Sequence, residues 1–215
     1  MSSKQRDWRF ELLRIFSMLL IVATHYFASD NWAVHTDPAR AGSWAASAHD
    51  SLIMTGQIGV TLFVLISAYF LSTSTHSPIP RMIKLWVQVV VYTAGIYIIY
   101  IAIIVARGHK PTFLTIRNTL AAVFPVTMGT YWFISAFFVM MALAPFINVL
   151  AEHLTKRNFL LLTGITIWVT FIWRILNPLT LQYFTDIGYF VSLYLIGSVI
   201  RRYSCLLYTS PSPRD

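Results

Sequence analysis

Residues 10–27 read Phe10-Glu11-Leu12-Leu13-Arg14-Ile15-Phe16-Ser17-Met18-Leu19-Leu20-Ile21-Val22-Ala23-Thr24-His25-Tyr26-Phe27. An apolar run of this kind is close to the roughly 20 residues that cross a bilayer as a helix. Yet it holds an acid, an arginine and a histidine. Ionisable groups inside a membrane are costly and mark function by default. Ten residues separate Arg14 from His25; on a helix the two positions fall at nearly the same angle, about three turns and roughly 16 Å apart. Glu11, three residues before Arg14, shares that stripe. The helix therefore carries an acid, a fixed cation and a proton-exchanging imidazole along one line.

The rest of the chain agrees with a membrane reading. Hydrophobic residues make up 57% and charged ones 11%, against about 25% charged residues in soluble domains. The mean hydropathy is +0.64. We expect an all-α polytopic transmembrane helix bundle, with about six spans of bilayer length. These run over 10–27, 51–72, 85–106, 131–150, 159–176 and 183–200, with the fourth kinked or ended near Pro145. Residues 30–50 read as a polar outer loop with His35 and His49, whose Trp32 and Trp44 suit an interfacial belt. Pro78 and Pro80 read as helix breakers in an inner turn. Residues 113–124 read as a short helix lying in the interface.

The formal net charge is +8, which we read as topology and not as nucleic-acid affinity. Lys4, Arg6, Arg9, Arg81, Lys84, Lys156, Arg157, Arg201 and Arg202 fall in the turns that the positive-inside rule places in the cytoplasm. The expected location is the inner (plasma) membrane, multi-pass, with a cytoplasmic N-terminus. Arg107, Lys110 and Arg117 fall on the outer side, against that rule. They form either a lipid-phosphate anchor or a patch facing an anionic donor or acceptor.

Arg14 and Glu11 lie inside the first apolar run, and no small-x-small cleavage site follows it, so it is not a removable signal peptide. No P-loop, dinucleotide fingerprint or metal-type Cys/His spacing is present, and we expect no metal and no bound cofactor. The last residues, Cys205 to Asp215, match one reading frame of a transposase-type sequencing adapter at every position. We expect residues 1–204 to be the N-terminal part of one domain and 205–215 to be an artefact tail. Such a segment is set aside in fold reasoning, and the fragment alone is expected to be inactive.

Three blocks carry a resemblance. Arg9-Phe10-Glu11-Leu12-Leu13-Arg14 leading to His25 is similar to the first-helix signature of the membrane-bound acyltransferase-3 family, Arg-x10-His with an acid three residues before the Arg. Gly59 to Leu71 resembles the second-helix motif Phe-x-x-Ser-Gly-Tyr/Phe, with Ala68 in place of the usual Gly. Tyr131-Trp132-Phe133-Ile134, leading to Ala144-Pro145, resembles the family's Trp-Phe helix entry and later Pro.

The resemblance implies a bundle of about ten transmembrane helices, each of bilayer-crossing length. It implies an integral membrane O-acyltransferase that moves an acyl group, usually acetyl from acetyl-CoA, to a hydroxyl of a cell-envelope carbohydrate. The implied partners are membrane lipids, acyl-CoA and an envelope polysaccharide or glycolipid, with no nucleic acid. His25, Arg14 and Glu11 are the expected catalytic residues. His25 serves either as general base or as transient acyl carrier. Arg14 either grips the acyl-CoA phosphates or polarises a carbonyl; its structural alternative is snorkelling to headgroups. Glu11 orients or neutralises Arg14. Arg14 sits near the inner face and His25 toward the outer one, so the donor is expected to enter from the cytoplasm and the acyl group to pass outward. Trp132 and Tyr131 are candidate substrate residues, stacking on a sugar, or plain interfacial anchors. Ser67 reads as helix packing, with a hydrogen bond to the acyl group as its alternative. A transporter or flippase for an envelope lipid or glycan is the competing class, with Arg14 and His25 as anion site or proton relay.

Overall fold

The computed structural model describes residues 7–29, 44–128, 131–172 and 186–203, and their regular structure is entirely helical. In chain order the helices are α1 (Trp8–Ser29), α2 (Trp44–Leu71), α3 (Ile79–Ala106), α4 (Ile116–Val123), α5 (Trp132–His153), α6 (Lys156–Ile167) and α7 (Asp186–Tyr203); α6 runs on into a π-helical turn, Trp168–Ile172. The expectations for Lys4, Arg6, Trp32, His35 and the 205–215 tail lie outside the described residues.

Among the described residues, four segments are long and apolar enough to cross a membrane: Trp8–Ala28, Ala46–Leu71, Ile79–Ala106 and Trp132–His153. The two later spans do not reach that standard among the described residues. Helix α6 has 12 residues before the π turn. Helix α7 carries Asp186, Arg201 and Arg202 within its 18 residues.

Element ends follow local chemistry. Asp7 Oδ1 accepts the Arg9 amide at 3.0 Å, capping α1. Helix α2 starts well before the expected Ser51. Small helix formers such as Ala46 and Ala48 continue the turn, so His49 lies within a helix and not in the outer loop. Pro78 and Pro80 open α3 instead of breaking it, because a first helical turn needs no proline N–H. Thr115 and Thr155 cap α4 and α6, each accepting the amide three residues on. Helix α5 continues through Pro145 to His153.

The chain divides into two compact units, 1–73 with 193–215, and 74–192. In the first, α1 and α2 meet through small residues. A Cβ added at Gly59 would lie 2.6 Å from the Ser17 carbonyl oxygen, and one at Gly56 2.5 Å from Thr24 Oγ1. Ser17 is fully buried there. Thr24 Oγ1 donates to the Leu52 carbonyl at 3.1 Å. Small residues and interhelical hydrogen bonds are the usual cement of membrane helices. The outward side of α1 is apolar, with Leu19 and Val22 each 61% exposed, as a lipid-facing surface requires.

In the second unit, Tyr97 and Thr119 join α3 to α4 through their hydroxyls, 3.0 Å apart. Phe133 stacks on Phe137 and meets the buried Phe190 edge-on. The hydroxyls of Thr170 and Ser192 pair at 2.9 Å, joining the π turn to α7.

Candidate functional site

Helix α1 carries the polar stripe, and its packing on α2 fixes where that stripe faces. Ser17, Ile21 and Thr24 touch Gly56 and Gly59. Arg14 and His25 lie about 60–100° around the helix from Ser17 and Thr24. The stripe therefore runs beside the interface and not within it.

At the N-terminal end, Arg14 Nη1 lies 3.6 Å from Glu11 Oε1, with both side chains partly exposed. The Arg14 guanidinium also lies over the Phe70 ring, 5.3 Å from its centroid. Phe70 in turn meets Phe10 edge-on at 5.0 Å. The guanidinium is thus held by an aromatic platform from α2 and a carboxylate from its own helix. Its remaining N–H donors stay available for an anion.

About three turns on, His25 Nδ1 lies 2.7 Å from the Ile21 carbonyl oxygen. A carbonyl can only accept, so the neutral ring carries its proton on Nδ1 and donates it there. Nε2 then holds the free lone pair. That tautomer suits a base or a nucleophile: one nitrogen is fixed by the backbone and the other is reactive. His25 is exposed on the flank of α1.

The second-helix motif lies beside this end of α1. Tyr69 stacks on Phe10 at 5.5 Å and accepts a hydrogen bond from Arg201 Nη1 at 2.8 Å. Ser67 is buried, and its Oγ donates to the Phe63 carbonyl of its own helix. Ala68, the departure from the usual Gly, is fully buried. A Cβ at Gly197 would lie 2.6 Å from the Ala68 Cβ. A glycine on the partner helix thus leaves room for the Ala68 methyl group, and the two helices approach closely there.

Four participants escaped the sequence reading. His49 is buried, and its Nε2 donates to the Phe27 carbonyl at 3.1 Å, engaging the last turns of α1. Arg201 and Arg202 read as topology charges, yet Arg201 holds Tyr69, and Arg202 donates to the Ser72 carbonyl at 2.7 Å and the Ser198 hydroxyl at 3.3 Å. Phe70 offered one usable signal, its place inside the second motif. Contacts between distant segments leave no trace in local spacing.

Arg14, Glu11 and His25 thus share one helix. Tyr131 and Trp132 belong to the second unit and part ways there. Trp132, 39% exposed, meets Phe133 and the buried Phe190 edge-on, at 6.2 and 6.3 Å. Tyr131 instead lines a cavity with residues of α3 and α4.

One comparison with known proteins is positive: a family model described as an acyltransferase domain matches residues 7–210. No curated protein and no solved structure matches significantly.

Proposed function

The chain belongs to the acyltransferase-3 family, and from that premise we propose that it moves an acetyl group from acetyl-CoA onto a hydroxyl of a cell-envelope carbohydrate. The enzyme is an acyltransferase whose apolar helices embed it in a membrane. Within the proposal the membrane is the inner (plasma) membrane, the N-terminus is cytoplasmic, and α6 and α7 belong to the fifth and sixth spans.

The observation that carries the reading is the 2.7 Å approach of His25 Nδ1 to the Ile21 carbonyl oxygen. With Nδ1–H committed to the Ile21 carbonyl, Nε2 takes the proton of the acceptor hydroxyl as that oxygen attacks the thioester carbonyl. The C–S bond breaks, the thiolate leaves, and Nε2 returns the proton to it. Direct attack by Nε2 on the thioester, giving an acyl-imidazole that the hydroxyl then resolves, uses the same lone pair. Arg14, near the cytoplasmic end, grips a phosphate of the donor through its fork of N–H groups. Glu11 and Phe70 hold that fork in place. The length of α1 between the pair matches an extended thioester arm reaching from an inner phosphate site to an outward-facing hydroxyl.

The test is transfer of labelled acetyl from acetyl-CoA to envelope glycan in membranes expressing the protein from its own locus. His25→Ala is expected to abolish transfer at unchanged protein level. Glycan acetylation that persists in His25→Ala, or that proceeds without cytoplasmic acetyl-CoA, would overturn the reading.

A further inference from the structure

The second unit holds a cavity of about 490 Å³ between α3, α4 and Tyr131. That is within the range of about 300–1,000 Å³ typical of small-molecule sites. Its walls are the rings of Tyr97, Tyr100, Phe113 and Tyr131, with polar groups from Asn118 and Thr93. A larger hollow along Lys156 to Trp168 is only one open face of α6, and nothing there selects a ligand.

The aromatic cavity is held in shape. Thr119 Oγ1 donates to the Thr115 carbonyl at 2.9 Å, so Tyr97, 3.0 Å away, donates its hydroxyl proton to Thr119. The Tyr97 oxygen keeps accepting capacity. Asn118 Nδ2 donates to the Phe113 carbonyl at 2.8 Å, which pins the loop bearing Phe113 and leaves the Asn118 side-chain oxygen free to accept.

Rings with polar tips, one amide and one hydroxyl match a molecule with apolar C–H faces and a hydroxylated edge. An alkyl chain would desolvate those polar groups and return no hydrogen bond, at a cost. The same segment supplies charge. Arg107, Lys110 and Arg117 are all exposed, and no acidic residue occurs from 107 to 131.

We propose that this cavity binds a pyranose ring of a negatively charged glycan, the exposed cations of 107–117 on the neighbouring segment attracting its acidic group. This rests on the acyltransferase reading, in which the site would hold the acceptor: alternation of spans from a cytoplasmic N-terminus brings the end of α3 to the outer side.

The test is saturation-transfer NMR on the full chain in a sugar-free detergent, with methyl β-D-glucuronide and methyl β-D-glucoside as probes. Transfer to ring protons is expected for both, stronger for the glucuronide. Raising salt should erase the difference between them. Tyr100→Leu, at an exposed ring with room to change, and Asn118→Leu are each expected to weaken binding by roughly tenfold, the loss of one good contact. Arg117→Gln should lower only the glucuronide signal. No transfer to either sugar overturns the assignment. So does transfer unchanged in both cavity variants, or a photoreactive alkyl detergent that labels Tyr97 and Tyr131 and is not displaced by the glucuronide. The readout needs no acyl transfer: His25→Ala should bind both sugars normally. Sugar binding without acetylation by the protein expressed from its own locus would therefore count against the enzyme reading and not against the cavity.

Discussion

Arg201 lies with its guanidinium carbon 4.7 Å from the centre of the Tyr69 ring and donates to that residue's hydroxyl at 2.8 Å. One arginine thus uses both the face and the tip of a buried tyrosine inside the second-helix motif. A cation over a ring contributes about 0.5–1 kcal/mol and the hydrogen bond about 1 kcal/mol. Arg201→Ala should therefore lower unfolding stability in detergent by about 1–2 kcal/mol. Tyr69→Phe, which keeps the ring, should show about half that loss, and Tyr69→Leu the whole of it. Equal losses for Phe and Leu would mean that the ring contact contributes nothing.

The glycines of this chain divide by what surrounds them, and substitution reads the division directly. Gly59→Ala would press a methyl group against the Ser17 carbonyl, which is backbone and cannot step aside. Gly56→Ala would meet the short Thr24 side chain. Each should cost about 1–3 kcal/mol through overpacking of α1 on α2. Gly95 and Gly164 have nothing within 4 Å of an added Cβ. Alanine there should raise helix stability by about 0.5–1 kcal/mol, since glycine pays the larger backbone entropy. Thermal unfolding of the four variants should separate them into two pairs of opposite sign.

That contrast also shows how far the sequence could be read. Hydropathy runs located α1, α2, α3 and α5, because each is long and apolar whatever surrounds it. The stripe of Glu11, Arg14 and His25 was legible because helical periodicity depends on spacing within one segment. The α2 start was missed because Trp44 to Asp50 looks polar, yet Ala46 and His49 are buried. The roles of Arg201, Arg202 and His49 were out of reach, since each depends on a partner from a distant segment. The partner of Ala68 was out of reach in the same way: Gly197, whose added Cβ would lie 2.6 Å from the Ala68 Cβ, comes from a distant segment.

Arg14 offers a test that separates charge from shape. Lysine keeps the charge and loses the planar fork and its fit over Phe70. If Arg14 grips a donor phosphate, Arg14→Lys should raise KM for acetyl-CoA about tenfold with a smaller change in kcat, the pattern of lost uniform binding. Glu11→Gln should do much less. Its 3.6 Å contact with Arg14 is half-exposed, and such a helical pair contributes only about 0.2–0.5 kcal/mol. A Glu11→Gln variant as damaged as Arg14→Lys would give Glu11 a direct part in the reaction.

The His25 tautomer can be observed without any turnover. With Nδ1 held 2.7 Å from the Ile21 carbonyl oxygen, the neutral ring should show a protonated Nδ1 and a bare Nε2 by nitrogen-15 NMR of labelled histidine. That is the rarer tautomer in solution, so its dominance would require the backbone bond. Because the partner is a main-chain carbonyl, no side-chain substitution at position 21 removes it; Ile21→Val should leave both the tautomer and the rate intact. Removing the imidazole is another matter. His25→Gln keeps a polar side chain at an exposed position, so stability should hardly change, while transfer should fall by about 10²–10⁴, the usual contribution of a positioned acid–base group. A spectrum with the proton on Nε2 would leave the reactive nitrogen facing the Ile21 carbonyl, and the base would have to be sought elsewhere.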